Sequence, residues 1–584
     1  MSGLDIYLIR PTRYDEEGYP IQWMRTHIPS NSLACVYGIA QDCADRKILG
    51  EDVQINLHAM DDYNTPVVPE KIIKQVKKSG NKALICMVGV QTNQFPRSVD
   101  LSRPFLDAGI PVCIGGFHVS GCLSMLKEMP ADIVEAQELG ISFFAGEAEE
   151  RRFDQVVIDA YNGELKSLYD FSKDTPSMEN TPAPILPIEE ISKTFGTYSS
   201  FDLGRGCPFD CSFCTIINVQ GRKSRFRTAD DLEAIIRQNH AIGVNRFFLT
   251  DDNFARNKNW KQFTDRMIKL RKEGIPLELL IQVDTLCHKI DGFIEACVAA
   301  GTGKVFVGLE NINSDSLELV GKRQNRIEDY REMLLAWKRH PVFVICGYIL
   351  GFPTDTKESI LQDVETIKRY LPIDGLSFSF LTPLPGSMDH KKMYEAGEWL
   401  DPDMNRYNLF NRVSHHPVMS DKEWEDAFRE AHLSFFSWEH MNTIFKRMVA
   451  LRSNKKYATI FYLLGMKEFT GVDAISPLEG GVLRRRMRRQ RRPGFKIESP
   501  FVFYPKFFWR ELKVNTTIII NFVRLWRMMR KAWTDPARYD YMDDAITSVD
   551  NLDADELISK VRTTEYAEKR RKRNSDKTAQ TAAE

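Results

Sequence analysis

Short apolar runs alternate with stretches of helical periodicity from residue 4 to about residue 162. The runs predict strands at Ile6–Ile9, Val53–Leu57, Ala83–Val90, Val112–Ile114 and Ser142–Phe144. Helical spacing lies between them, as in Ser32–Asp45 and Pro69–Lys78. Strands that alternate with helices argue for an α/β fold with a parallel sheet covered on both faces. Ligands bind such sheets outside the carboxyl ends of the strands. Those ends read Arg10-Pro11-Thr12, Gln91-Thr92-Asn93, Gly115-Gly116-Phe117-His118 and Gly146-Glu147-Ala148-Glu149. A tight turn explains any one of these glycines. Their recurrence on one rim points to a ligand, because glycine lets backbone approach a bulky group.

From Ser199 to Pro385 strand and helix alternate again. Strands are expected at Ser199–Leu203, Arg246–Thr250, Glu278–Val283, Val305–Gly308, Val342–Leu350 and Leu376–Leu381. Helices follow at Ala229–Ala241, with Thr228 as N-cap, and at Trp260–Glu273, Gly292–Ala300 and Lys357–Tyr370. In β/α barrels the chemistry sits at the strands' carboxyl ends. One acid after a strand is commonly a cap, but here six consecutive ends are polar or glycine-rich. They carry Asp251 and Asp252, then Gln282 and Asp284, then Glu310, then Gly347 to Gly351, then Thr382 to Gly386.

The first of these strands leads into Gly204-Arg205-Gly206 and the spacing Cys207-x3-Cys211-x2-Cys214. Closely spaced thiolates hold iron–sulfur clusters, and a four-iron cluster normally takes four. Three leave one iron open to a chelating ligand. A structural zinc needs four closed ligands, and the nearest downstream histidine, His240, falls in a predicted helix. Buried structural thiols need neither this spacing nor the glycines. Cys287, Cys297 and Cys346 read as core thiols, with radical quenching or substrate contact as a minor alternative for Cys346. Cys35, Cys43, Cys86, Cys113 and Cys122 are scattered without cluster spacing.

The cysteine loop and the strand ends resemble the radical S-adenosylmethionine (SAM) superfamily. The preceding α/β unit resembles the cobalamin-binding subfamily. The resemblance covers roughly residues 1–420. It implies a [4Fe-4S] cluster on Cys207, Cys211 and Cys214, with SAM on the open iron. It implies SAM contacts from Phe213, Asp251, Asp252, Gln282, Asp284, Glu310, Gly347 and Gly351, the glycines giving adenine a flat bed. Thr354 and Asp355 stand near the usual glutamate after that strand. Cobalamin contacts are implied for Pro11, Gly115, Gly116, Gly146 and Glu147. The chain departs from the subfamily after the first strand, where Asp-x-His-x-x-Gly is absent; His58 and His118 are the only histidines near the rim, and neither stands in that motif. No residue is singled out as general base or hydrogen-atom target.

The resemblance implies C-methylation of an unactivated carbon. One SAM is cleaved to a radical, and a second methylates cobalamin, which delivers the methyl group. The alternatives are a ring closure or rearrangement with a non-methylating cobalamin domain, and a non-enzymatic metal-binding scaffold at a membrane surface. A methylthiotransferase would need a second cysteine trio, which is missing. Partners implied are a small-molecule or lipid-like substrate and an external electron donor of flavodoxin or ferredoxin type.

Beyond about Ser420 the alternation stops. Helices are expected at Lys422–Glu439 and Met441–Leu451, and the tail from Thr564 is expected to be disordered. The run from Arg484 to Arg492 and the aromatic stretch from Phe501 suit an anionic membrane surface. A solvated linker before a buried helix is equally consistent, and RNA binding lacks a recognisable module. The 584 residues fit several domains. They divide as 1–165, a linker 166–195, a partial barrel 196–420, a helical region 421–563 and a tail 564–584. Eleven cysteines and a net charge of −1 exclude a disulfide scaffold and a global field for nucleic acid. With no secretory signal and no long apolar run, a cytoplasmic protein is expected, with peripheral contact at the inner membrane surface.

Overall fold

The computed structural model describes residues 2–547 apart from 323, 324, 326, 471–474 and 476–478. The tail from Thr564 lies outside the described residues. Along the chain, β1 (Ser2–Arg10) precedes a short β2 (Gln22–Thr26). Then come β3 (Val53–Asp61), β4 (Lys82–Met87), β5 (Val112–Gly115), β6 (Ser142–Ala145) and β7 (Leu168–Asp170). All but β2 form one parallel sheet in the order β3-β1-β4-β5-β6-β7. Alternate residues serve opposite layers. Leu4, Ile6 and Leu8 pack with helices Asn31–Asp45 and Arg152–Asn162. Tyr7 and Ile9 share the other core with Pro69–Ser79, Phe95–Asp107 and Ala131–Glu138. β7 falls in the stretch expected to be linker; its three residues are too few to show a pattern.

The second unit starts with β8 (Tyr198–Phe201) and the two-residue strands β9 (Gly204–Arg205) and β10 (Arg225–Phe226). It continues through β11 (Arg246–Leu249), β12 (Glu278–Val283), β13 (Thr302–Glu310), β14 (Phe343–Leu350) and β15 (Gly375–Phe380). Six of these form a parallel sheet in the order β15-β14-β13-β12-β11-β8. Leu279, Ile281 and Val283 are buried, while Leu280 and Gln282 between them are half-buried. That alternation puts the polar positions on the inner face.

The helical region holds Asp421–Phe435, Trp438–Ala450 and Lys456–Gly465. The single helix expected over Lys422–Glu439 is broken at Phe436, because Ser437 caps a new helix by accepting the His440 N–H. A 35-residue helix, Pro500–Thr534, follows. Among the described residues no helix is long and apolar enough to cross a membrane.

β16 (Gly481–Arg485) returns to the start of the chain and pairs antiparallel with β2. The arginine run is therefore neither a solvated linker nor a free basic patch. Arg484 and Arg486 are 7% and 4% exposed and both ion-pair with Asp15, Arg486 also with Glu17. Arg492 pairs with Asp403.

Candidate active site

The cysteine loop is closed at its base by the antiparallel pairing of β9 with β10. Gly206 has φ +88°, and a Cβ there would lie 2.9 Å from the Gly221 carbonyl oxygen. Only glycine tolerates both conditions. The Ser212 N–H donates to the Val320 carbonyl (2.9 Å), and its hydroxyl to Asp389 (3.0 Å). Cys211 is buried, and Cys207 and Cys214 are half-buried. The backbone N–H groups of Phe209 and Ile216 favour the thiolate forms of Cys207 and Cys214, against the larger effect of burial. Such contacts stabilise thiolate ligands. Burial pushes the Cys214 thiol up to about 12, so ionisation accompanies metal binding. Among the described residues, only His288, Asp329 and Glu332 bring three ligand atoms within 4.8 Å of one another. Three sulfurs on one zinc would lie about 3.8 Å apart. The cysteine set fits a polynuclear cluster rather than a single ion.

Two acids at the end of β11 fix the loop's entry. The Leu203 N–H donates to Asp251 Oδ1 (2.7 Å) and Asn257 Nδ2 to its Oδ2 (3.0 Å). The Gly206 N–H donates to Asp252 Oδ2 (3.0 Å). Burial lifts both carboxyls to about 7. Asp251 is engaged on both oxygens, whereas Asp252 also faces a cavity. Gln282, on the inner face of β12, lines the same cavity and donates to the Asp251 carbonyl.

Other expected SAM contacts are placed differently. Asp284 is saturated by Arg256 on both oxygens, by Asn253 and by the Leu286 N–H. Glu310 sits at φ +64° beside a register shift between β13 and β14, and it ion-pairs with Lys322. At Gly347 and Gly351, expected to give adenine a flat bed, the Cβ directions are occupied by aromatic side chains. A Cβ on Gly347 would lie 2.8 Å from the Phe306 ring, and one on Gly351, at φ +97°, would lie 2.2 Å from the Trp424 indole. Asp355 bends back to accept the N–H groups of Gly351 and Phe352 (2.9 Å each). Phe213 does stand beside the cluster loop, edge-on to Phe352 and 5.8 Å from the Lys322 ammonium. Lys322 was not anticipated, since a lysine in a turn between helices carries no periodic signal. Burial works to lower its pKa, but Glu310 and the sulfurs of Cys211 and Cys214 raise it.

The first sheet and the cysteine loop are clasped together. Arg205 contacts Glu147 (2.6 Å), Glu149 (2.7 Å) and Asp202 (2.5 Å), all at least nine-tenths buried, and Arg225 also grips Glu147. Beside this clasp lies a cavity of about 550 Å³. The first sheet contributes Gly115, Gly116, Gly146 and Glu147; the second unit contributes Arg205, Thr215, Asp252 and Gln282. Gly116 allows the loops after β4 and β5 to touch, since a Cβ there would lie 2.1 Å from the Val90 nitrogen.

Pro11 does not reach this cavity. It is buried where Arg13, Tyr63 and Asn93 converge on Glu479, in the polar layer brought by β16. Neither rim histidine lines the cavity: His118 is held by Asp132 and Thr92, and His58 stacks on Tyr7. Three scattered cysteines do line it, Cys35, Cys86 and Cys113. Their signal was position, at the start of the first helix and on two strands running to the rim.

The description "Radical SAM superfamily" fits residues 202–367. This chain carries a radical SAM domain. Bacteriochlorophyllide d C-8(2)-methyltransferase of Chlorobaculum tepidum is 26% identical over 378 residues, covering 61% of this enzyme and 78% of that one. Hopanoid C-2 methylase of Rhodopseudomonas palustris is 24% identical over 341 residues, covering 57% and 61%. The solved structure of the cobalamin-dependent SAM radical enzyme OxsB, with aqua-cobalamin and SAM bound, matches 95% of this chain and 83% of its own. Its TM-score is 0.50 at 14% identity. The chain therefore shares the fold of OxsB across its sheet, barrel and helical parts.

Proposed function

We propose that this radical SAM enzyme is a cobalamin-dependent methyltransferase acting on an unactivated carbon of a small or lipid-like substrate. The supporting observation is the shared cavity, into which the glycine rim of the first sheet and the residues beside the cysteine loop both open. The activities of these two relatives, both methylases, support the same reading.

When bound, the cluster, SAM and cobalamin supply reductive SAM cleavage and methyl carriage. In this reading the chain's own residues bind, orient and screen. Cys207, Cys211 and Cys214 hold the cluster, with the Phe209 and Ile216 N–H groups polarising two of the sulfurs. Asp252 and Gln282, both in the cavity wall, would hold SAM, and an ammonium beside Asp252 would favour its charged carboxylate. Phe213, edge-on to Phe352, would stand beside the bound cluster. Gly115, Gly116 and Gly146 line the part of the cavity that would take a flat macrocycle, together with Val88, Phe117 and Phe144. The described wall of this cavity holds no histidine. An external one-electron donor of flavodoxin or ferredoxin type supplies the electron.

Anaerobic turnover of the cobalamin-loaded enzyme tests this. Formation of both S-adenosylhomocysteine and 5′-deoxyadenosine is expected. 5′-Deoxyadenosine alone would sink methyl transfer and leave a ring closure or rearrangement. No SAM cleavage at all would favour a metal-binding scaffold.

A further inference from the structure

The helix Pro500–Thr534 is built for two environments, only one of which the chain provides. Its inner face buries Leu525, Met529 and Ala532 in the core shared with the helical region, and Phe503 against Tyr19. Its outer face leaves Phe501 91%, Trp509 71%, Phe508 65%, Ile519 62%, Leu512 61% and Ile520 60% exposed. At 100° per residue these six fall within one face roughly 120° wide. Between Phe501 and Ile520 that face runs along about 29 Å of helix. Soluble proteins rarely expose a contiguous apolar patch of this length without a partner.

Charge identifies the partner. The helix carries seven lysines and arginines against one acid, Glu511. Exposed Lys506, Lys513 and Lys531 flank one edge of the apolar stripe. A second copy laid on this face would oppose like charges. Aromatic and aliphatic groups beside cations instead match the interfacial plane of an anionic bilayer. The helix is too polar to span one. We infer that Pro500–Thr534 lies in the plane of an anionic membrane and seats the enzyme on it through Phe501, Phe508, Trp509, Leu512, Ile519 and Ile520. This deepens the lipid-like part of the proposed function and rests on that reading only for its purpose, since docking is measured without turnover.

The test is co-sedimentation of the full chain, cluster loaded, with vesicles of phosphatidylcholine alone or with phosphatidylglycerol. Binding is expected to the phosphatidylglycerol vesicles and to weaken with salt. The variant Phe508→Glu/Trp509→Glu/Leu512→Glu is expected to lose at least about tenfold in partition, with iron content and circular dichroism unchanged. Lys506→Ala/Lys513→Ala/Lys531→Ala is expected to lose the preference for anionic lipid. Equal binding to phosphatidylcholine alone would overturn the anionic assignment. Absence of vesicle binding, with light scattering showing a dimer that the glutamate variant dissolves, would overturn membrane docking and assign the face to a second copy. Loss of methylation products with docking intact would fall on the proposed function alone.

Discussion

At the scale of single residues, several acids expected to contact a ligand have partners within the protein. Asp251 fastens Leu203, Asp284 answers Arg256, and Asp355 caps the turn at Gly351 and Phe352. A sequence shows that an acid follows a strand. It does not show whether a buried N–H or a guanidinium reaches that acid first. Asp355 gives a clean test away from the cluster. Burial lifts its carboxyl to about 7, well above its unfolded value. Folding therefore favours the protonated form, and the associated stability is full below about 4 and is lost as pH rises through about 7. Asp355→Asn keeps an acceptor for the two N–H groups and cannot ionise. Between pH 4.5 and 7.5 the variant should gain stability relative to wild type by up to about 1.4 kcal/mol per pH unit. Urea unfolding at a series of pH values reads this directly; a constant offset would show that Asp355 does not titrate in that window.

At the scale of elements, regular strands and helices were legible because apolar spacing declares them. Thr228 caps its helix as expected, through a box with Asp231. What escaped were elements stabilised by distant partners. β2 and β16 have little alternation and exist because they pair across more than 450 residues of chain. Glu479 anchors that pairing, accepting from Arg13, Tyr63 and Asn93, while its carbonyl accepts the Trp23 indole N–H. Arg13 is 3% exposed at its side chain. Glu479→Ala removes the carboxylate facing a buried guanidinium, which costs about 3–5 kcal/mol. Chemical denaturation should show that loss. A change below about 1 kcal/mol would place the carboxylate in a solvated surface pair instead.

At the scale of the whole molecule, the site belongs to neither sheet alone. The cysteine spacing made the cluster loop recognisable, and the glycine rim could be seen in the sequence. The Arg205 clasp could not, because Gly-Glu-Ala-Glu and Gly-Arg-Gly each read as local turns. Arg205→Met would leave Asp202, Glu147 and Glu149 as clustered buried carboxylates, all at most 9% exposed. The expected loss is about 3–5 kcal/mol, together with lower iron per chain after anaerobic reconstitution. Full iron retention at unchanged stability would mean that the two units are held by their apolar contacts. The pairing of β2 with β16 also has a consequence for how the chain is made. A ribosome adding about 5–20 residues per second takes about 20–90 s to travel from residue 26 to residue 479. Throughout that interval Arg13, Asp15 and the edge of β2 wait for strand and charges not yet synthesised. The opening segment of this protein is therefore among the last parts of it to fold.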